Sequence, residues 1–239
     1  MNFEKLLKLF DRNKFLRKIA NKIISSAVSY KGAVIVSYRG NNRSNVMNLI
    51  NQIKKENKLY IMENEAYQIF MAVKATAKIK GDIAEIGSYK GGSAKLISEA
   101  KGDKSLHLFD NFEGGLPSPG YFDEKGQFSK GDYSASFEKV KDYLKKYNNV
   151  YFYKGIFPFT ASPIKNKTFS FVHLDLDLYE STKEAIKFFY PRMNKGGIII
   201  SHDYIHAKGV RKAFDDFFRD KPEPIIEMSG SQCLIVKVN

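Results

Sequence analysis

The chain has 239 residues, 43% hydrophobic and 27% charged, enough for one well-buried core and ordinary for a globular α/β domain with an added segment. No apolar run reaches the ~18 residues that cross a bilayer, and the N-terminus lacks an apolar signal core with a cleavage site, so cytoplasmic residence is expected. Cys233 is the only cysteine, which excludes an internal disulfide and a thiolate metal cluster.

The net charge of +13 is unevenly placed. Residues 1–60 hold 13 Lys and Arg against Glu4, Asp11 and Glu56, a net of +10, which leaves +3 for the remainder. The chain therefore reads as a basic helical extension (1–60), serving oligomerisation, a lid or a surface contact, followed by a cofactor-binding domain (61–239). Within the extension Phe3, Leu6, Leu7, Phe10, Phe15, Leu16, Ile19 and Ile23 recur at helical spacing with Lys and Arg opposite, which predicts a basic amphipathic helix or helix pair. Three readings of that face stay open: a solvated surface, a peripheral contact with an anionic membrane or lipid-linked substrate, and a nucleic-acid platform. No nucleic-acid-binding signature accompanies it, which counts against the third. An exposed amphipathic segment of this kind favours a homo-oligomer over a monomer.

A turn-rich patch, Arg39-Gly40-Asn41-Asn42-Arg43-Ser44, precedes helical spacing from Met47 to Ile53, and a further helix is predicted from Glu63 to Lys78. Regular alternation follows. Strands are predicted near 82–86, 105–109, 150–153, 169–174, 197–201, 224–228 and 232–238, with helices near 91–100, 134–147, 181–190 and 208–219. This pattern implies a doubly wound, mostly parallel sheet covered on both faces. Only Ser229-Gly230-Ser231 separates the last two strands, so they form an antiparallel hairpin. Seven strands ending in such a hairpin are the Rossmann-like architecture of class I methyltransferases, whereas dinucleotide folds usually finish with a parallel strand. The irregular stretch from Asn111 to Asp132, rich in Gly and Pro and carrying Phe112, Tyr121 and Phe122, is too long for a plain connection and reads as an active-site lid.

The most informative segment is Asp82 to Ile97, a short apolar strand, a glycine turn and the start of a helix. The turn Gly87-Ser88-Tyr89-Lys90-Gly91-Gly92 lets backbone approach a nucleoside-like ligand, because glycine lacks a colliding Cβ. Its spacing, G-x-x-x-G-G, departs from the dinucleotide G-x-G-x-x-G. Glu85 just before it would repel a pyrophosphate and suits the cationic amino end of S-adenosylmethionine. Asp110, at the end of the second strand, is placed to accept hydrogen bonds from ribose hydroxyls. A nicotinamide cofactor, and a turn that holds no ligand, remain open on the loop alone.

The fourth strand runs into Asp175-Leu176-Asp177 and the fifth into His202-Asp203-Tyr204. Strands four and five are expected to be neighbours, so Asp175, His202 and Asp203 converge at the carboxyl ends of the sheet, where open α/β folds bind ligands. Oxygen ligands with one imidazole suit Mg²⁺ or Mn²⁺. Alternatively, Asp175 or Asp177 merely caps the following helix. Tyr204-x-x-x-Lys208 mimics the catalytic pair of short-chain dehydrogenases but directly follows a strand end, which makes it a coincidence.

The run His173-Leu174-Asp175-Leu176-Asp177-Leu178-Tyr179-Glu180-Ser181-Thr182 resembles the hallmark of the macrocin O-methyltransferase family, sugar O-methyltransferases of macrolide and aminocoumarin pathways. Glu85-Ile86-Gly87 with Gly92-Ser93, Leu108 to Gly114, Gly155-Ile156-Phe157-Pro158, and Tyr190-Pro191-Arg192 with Gly196-Gly197 match in the same order, over about residues 60–239. The resemblance implies a class I fold, S-adenosylmethionine, and a divalent metal that substrate hydroxyls approach. It implies a cofactor site made of Glu85, Gly87, Ser88, Tyr89, Gly91, Ser93, Asp110, Asn111, Phe112, Phe157 and Asp175. It implies Asp175, His202 and Asp203 around the metal, and a proton acceptor among Asp175, Asp177 and His202. One position departs from the family, where His202 stands for the first of two consecutive aspartates. Imidazole is a poorer Mg²⁺ ligand than carboxylate, so Mn²⁺ or Fe²⁺ would suit the site better, or His202 would act as a base without metal.

The expected activity is O-methylation of a hydroxyl on a sugar, nucleotide-sugar or other glycosylated acceptor. Two rivals predict different behaviour. A nicotinamide-dependent oxidoreductase binds NADH, and a basic module retaining a methyltransferase shell binds nucleic acid in a salt-sensitive way.

Overall fold

The structure, a computed structural model, describes residues 43–56 and 58–239; the amphipathic segment expected between Phe3 and Ile24 lies outside the described residues. Two helices lead into the sheet. Helix α1 (Arg43–Lys55) buries Ile50 and Ile53, and α2 (Glu63–Ala75) buries Ala66, Ile69, Ala72 and Val73, the one-sided spacing of a helix packed on a core. Both stripes join one apolar cluster with Ile83, Leu96, Leu108 and Phe171. The described residues from Arg43 onward belong to one compact unit, so α1, basic as it is, shares the core of the domain that follows.

The sheet elements are β1 (Asp82–Ile86), β2 (Leu106–Asp110), β3 (Val150–Lys154), β4 (Phe169–Leu174), β5 (Met193–Ser201), β6 (Ile226–Glu227) and β7 (Cys233–Val236). Helices α3 (Gly92–Ala100), α4 (Phe137–Leu144), α5 (Tyr179–Phe189) and α6 (Lys208–Phe218) connect them. The strand order is β3-β2-β1-β4-β5-β7-β6. The first five strands pair in parallel, and β7 runs antiparallel between β5 and β6, as the closing hairpin requires. This is the doubly wound, seven-stranded sheet predicted. Winding reverses between β1 and β4, so their carboxyl ends open a crevice.

Period-two alternation sorts the strand side chains. Ile83, Leu106, Leu108, Phe171 and Ile200 face the cluster that α1 to α4 complete. Ala84, Ile86, Phe109, Val172, Leu174 and Ile199 face Ile186, Phe189 and Phe214 of α5 and α6. Every residue of β4 is buried, the polar Ser170 and His173 included, so the strand from Phe169 to Leu174 has no solvent-facing side. A fully buried ring such as Phe171 or Phe189 stabilises the fold by roughly 1.5–3 kcal/mol.

Element ends differ from expectation for local reasons. Helix α4 starts at Phe137, because the Ser136 side chain accepts from Lys139 N–H (3.4 Å) and caps it. Helix α2 stops at Ala75, where the Thr76 hydroxyl donates to Ala72 and Val73 carbonyls (3.1 Å each). Strand β6 shrinks to two residues behind Pro224, which has no N–H for a ladder.

The stretch 111–132 is tied down rather than free. Its ends pair through Leu116 N–H to Asp132 O (2.8 Å) and Gly131 N–H to Leu116 O (2.9 Å). Asp123 accepts from Tyr179 N–H at the start of α5 (2.8 Å), Gln127 donates to His206 O (2.9 Å), and Lys208 pairs with Glu124 (3.2 Å). Phe122 packs on Tyr179, with ring centres 4.6 Å apart, and Tyr121 is exposed. Among the described residues no helix is long and apolar enough to cross a membrane.

Candidate active site

A cavity of ≈ 290 Å³ opens at the carboxyl ends of β1, β2, β4 and β5. Its floor depends on Gly87, at φ +91°, where a Cβ would lie 1.8 Å from the carbonyl oxygen of Asp175. Only glycine lets the loop after β1 press so closely on the end of β4. The contact is fixed by Gly87 N–H to Phe109 O and Asp175 N–H to Ile86 O, both 2.9 Å.

On one side the Asp110 carboxylate closes the glycine loop. Tyr89 N–H donates to Asp110 Oδ2 (2.8 Å) and Phe112 N–H to Oδ1. Burial raises the Asp110 carboxyl to about 6; main-chain hydrogen bonds oppose this and the nearby Glu85 charge adds to it. The Tyr89 ring meets Tyr60 edge-on at 5.2 Å and Tyr133 at 5.7 Å, an aromatic row along the wall. Gly155, Ile156 and Phe157 form the apolar wall beyond β3.

Of the residues anticipated around a cofactor, Gly87, Tyr89, Asp110, Asn111, Phe157 and Asp175 line this cavity. Glu85, Ser88, Gly91, Ser93 and Phe112 stand behind its wall. Glu85 is fully buried and pairs with His173 (2.9 Å), Ser88 and Ser93 are buried, Gly91 caps α3 in a left-handed conformation, and Phe112 packs on Phe137.

On the other side Asp175, Asp177, His202 and Asp203 gather. Strands β4 and β5 pair His173 with Ile200 and Leu174 with Ser201, which carries the acidic turns after both strands to one edge. His202 Nδ1 lies 3.0 Å from Asp203 Oδ2 and 3.4 Å from Asp175 Oδ1. Its Nε2 lies 3.2 Å from Glu65 Oε2, on α2. Burial disfavours a charged ring, but Asp175, Asp203 and Glu65 hold His202 well above the usual histidine range, as an imidazolium. Burial likewise opposes ionisation of Asp175, and the His202 charge overrides it, so its carboxyl is lowered. Asp177 is raised well above the carboxylate range by burial and by the charges of Asp175 and Asp203. Both Asp177 (φ +60°) and Asp203 (φ +57°) adopt left-handed backbone, strain of the kind that collects at functional sites.

Asp175, His202 and Asp203 have the donor types of a divalent-ion site. One atom each from Asp175, His202 and Asp203 lie within 4.8 Å of one another. Metal–ligand distances of about 2.1 Å place adjacent octahedral ligands about 3 Å apart, the spacing of His202 Nδ1 from its two aspartates. The residues fit such an ion, which would replace the Nδ1 proton shared among these groups.

Sequence reasoning missed Glu65, Tyr60 and Tyr133. Glu65 reads as an ordinary first-turn acid of α2, and indeed accepts Met62 N–H (2.8 Å), while its contact with His202 spans 137 positions. Tyr60 lies in the segment assigned to the extension, and Tyr133 falls just past the glycine-rich stretch. Tyr204 and Lys208 do not converge: the Tyr204 hydroxyl donates to Asp215 (2.7 Å), and Lys208 pairs with Glu124.

Comparison with known proteins gives consistent neighbours. The family model for macrocin O-methyltransferase (TylF) matches residues 63–231. The 8-demethyl-8-(2,3-dimethoxy-alpha-L-rhamnosyl)-tetracenomycin-C 4'-O-methyltransferase of Streptomyces olivaceus is 29% identical over 171 residues, 64% of this chain and 64% of that protein. The demethyldecarbamoylnovobiocin O-methyltransferase of Streptomyces niveus is 27% identical over 154 residues, 58% of each chain. The chain thus matches less than two thirds of the length of these relatives. Among solved structures, the O-methyltransferase NovP superposes with a TM-score of 0.64 at 23% identity, covering 73% of this chain and 80% of its own, a likeness of fold.

Proposed function

Since this chain belongs to the macrocin O-methyltransferase (TylF) family, we propose that it moves a methyl group from S-adenosylmethionine to a hydroxyl of a sugar or glycosylated acceptor, with a divalent metal at the acidic cluster. The observation that carries the reading is the meeting, around one cavity, of a glycine loop, a strand-end Asp110 and the Asp175–His202–Asp203 cluster. The curated relatives are named for O-methylation of a rhamnosyl tetracenomycin and of a novobiocin precursor, which supports a glycosylated acceptor here.

When bound, the cofactor supplies a methyl on a cationic sulfur, and the ion supplies positive charge for the acceptor hydroxyl. The chain's own groups do the rest. Asp110 would accept from ribose hydroxyls, Gly87 keeps the loop after β1 pressed on the end of β4, and the apolar Ile156 and Phe157 would flank the base. Methyl transfer is an in-line displacement that needs the acceptor held at near-attack distance, the task assigned to Tyr133 and the walls around Leu116 and Ser181. Among the carboxylates, Asp175 is ionised and takes the hydroxyl proton, while Asp177 keeps its own proton and bonds Asp203.

Calorimetric titration with S-adenosylhomocysteine and with NADH tests the cofactor: saturable binding of the first and none of the second is expected, and the reverse restores the oxidoreductase rival. Asp175→Ala is expected to abolish methyl transfer and retain S-adenosylhomocysteine binding. Full turnover by that variant removes the proposed proton acceptor.

A further inference from the structure

Deepening the metal-assisted reading above, on which it rests, we infer that Glu65 and His202 make the acidic cluster a mixed nitrogen–oxygen site that selects Mn²⁺ or Fe²⁺ over Mg²⁺. The starting point is how firmly Glu65 is held. Its carboxylate is buried and accepts Ser231 N–H (2.6 Å) and Ser231 Oγ–H (2.8 Å) on one oxygen, and Met62 N–H (2.8 Å) on the other. These bonds fix the oxygen that faces His202 Nε2 at 3.2 Å.

A carboxylate on Nε2 sets the tautomer and the ring plane together. With an ion in place of the Nδ1 proton, the remaining hydrogen would sit on Nε2 toward Glu65, and Nδ1 is the atom that faces Asp175 and Asp203. A histidine whose far nitrogen is bonded to a carboxylate is a common arrangement behind metal-bound imidazoles, because it orients the ring and raises its basicity. Imidazole nitrogen suits Mn²⁺ and Fe²⁺ better than Mg²⁺, which favours oxygen donors and retains water. The rest of the donor set is carboxylate, so the choice of ion turns on His202.

The alternative is a closed ion pair, in which His202 serves only as a cation among carboxylates and no ion enters. The two are separated by stripping the full chain with chelator, loading it with Mn²⁺, and recording electron spin-echo modulation from nitrogen directly bound to manganese. Titrations with Mn²⁺ and Mg²⁺ accompany it, in the presence of S-adenosylhomocysteine. The wild type is expected to show the nitrogen signal and to prefer Mn²⁺ by about tenfold or more. His202→Asp should lose the signal and bring the two affinities together. Glu65→Gln should weaken Mn²⁺ binding by about 10–100-fold while S-adenosylhomocysteine affinity holds.

Manganese bound without nitrogen coupling, an ion preference unchanged in His202→Asp, or no Mn²⁺ binding at millimolar concentration would each overturn the inference. The nitrogen signal decides it whether or not S-adenosylhomocysteine binds, so a failure of the methyltransferase reading shows up separately in the cofactor titration.

Discussion

Glu85 and His173 sit at opposed register positions on β1 and β4 and meet at 2.9 Å, both side chains fully excluded from solvent. Neither has a second side-chain partner among the described residues. Losing one therefore strands the other, and a buried polar group left unpaired costs about 1–3 kcal/mol. Glu85→Ala is expected to lose that much stability in urea denaturation at neutral pH, and Glu85→Gln, which can still meet the ring, to lose less. Wild-type stability in Glu85→Ala would show that the pair does not matter to the fold.

Gly87→Ala should be among the most damaging small changes in the domain. Left-handed backbone costs a non-glycine residue roughly 1–3 kcal/mol, and the added methyl meets the Asp175 carbonyl head-on. A melting temperature lower by several degrees is expected, with at least about tenfold weaker S-adenosylhomocysteine binding, equivalent to ~1.4 kcal/mol. Unchanged affinity in calorimetry refutes the close approach on which the cavity floor depends.

Asp110 gives the site a pH dependence of definite sign. Its folded-state value, about 6, lies above the unfolded 3.8, so the native protein holds the proton more tightly. Its contribution to stability is present below 3.8 and is lost as pH rises through about 6. Cofactor binding follows the opposite sense, since the ionised carboxylate is the better acceptor for ribose hydroxyls. Affinity for S-adenosylhomocysteine should fall as pH drops through about 6, and Asp110→Asn should flatten that profile. A pH-independent wild type would contradict it.

Tyr133 is predicted to act on the acceptor and not on the cofactor. Burial raises its hydroxyl, and the neighbouring acidic cluster of Asp177, Asp203 and Asp175 raises it further, so it stays a donor at the cavity wall. Tyr133→Phe should raise the acceptor KM by about fivefold, the worth of one ~1 kcal/mol hydrogen bond, and leave S-adenosylhomocysteine affinity alone. A changed cofactor affinity with an unchanged KM would assign Tyr133 to the other half of the site.

Much of this was legible in the sequence because the signals are local. Runs such as Phe169 to Leu174 declare buried strands, Gly87 to Gly92 declares the turn, and strand-end acids fall where an open sheet collects ligands. What escaped depends on distance along the chain. Nothing near Glu65 announces His202, and one acid in the first turn of a helix looks like dipole compensation. The basic residues of α1 mask Ile50 and Ile53 on its other side, which join the main core. The segment from Asn111 to Asp132 was recognisable as unusual from its glycines, but its anchoring by Asp123 and Gln127 needed three dimensions.

The turn between the last two strands does more than join them. Asn64 donates to Ser229 O (2.6 Å), Gln68 to Ser229 Oγ (3.0 Å), and Ser231 holds the Glu65 carboxylate, while a Cβ on Gly230 would strike that same carboxylate at 2.5 Å. A three-residue bend far along the chain thus works as a latch on α2, and through α2 on the ring of His202. Sequence drift in that bend, which contributes no atom to the cavity, would retune the chemistry from outside it.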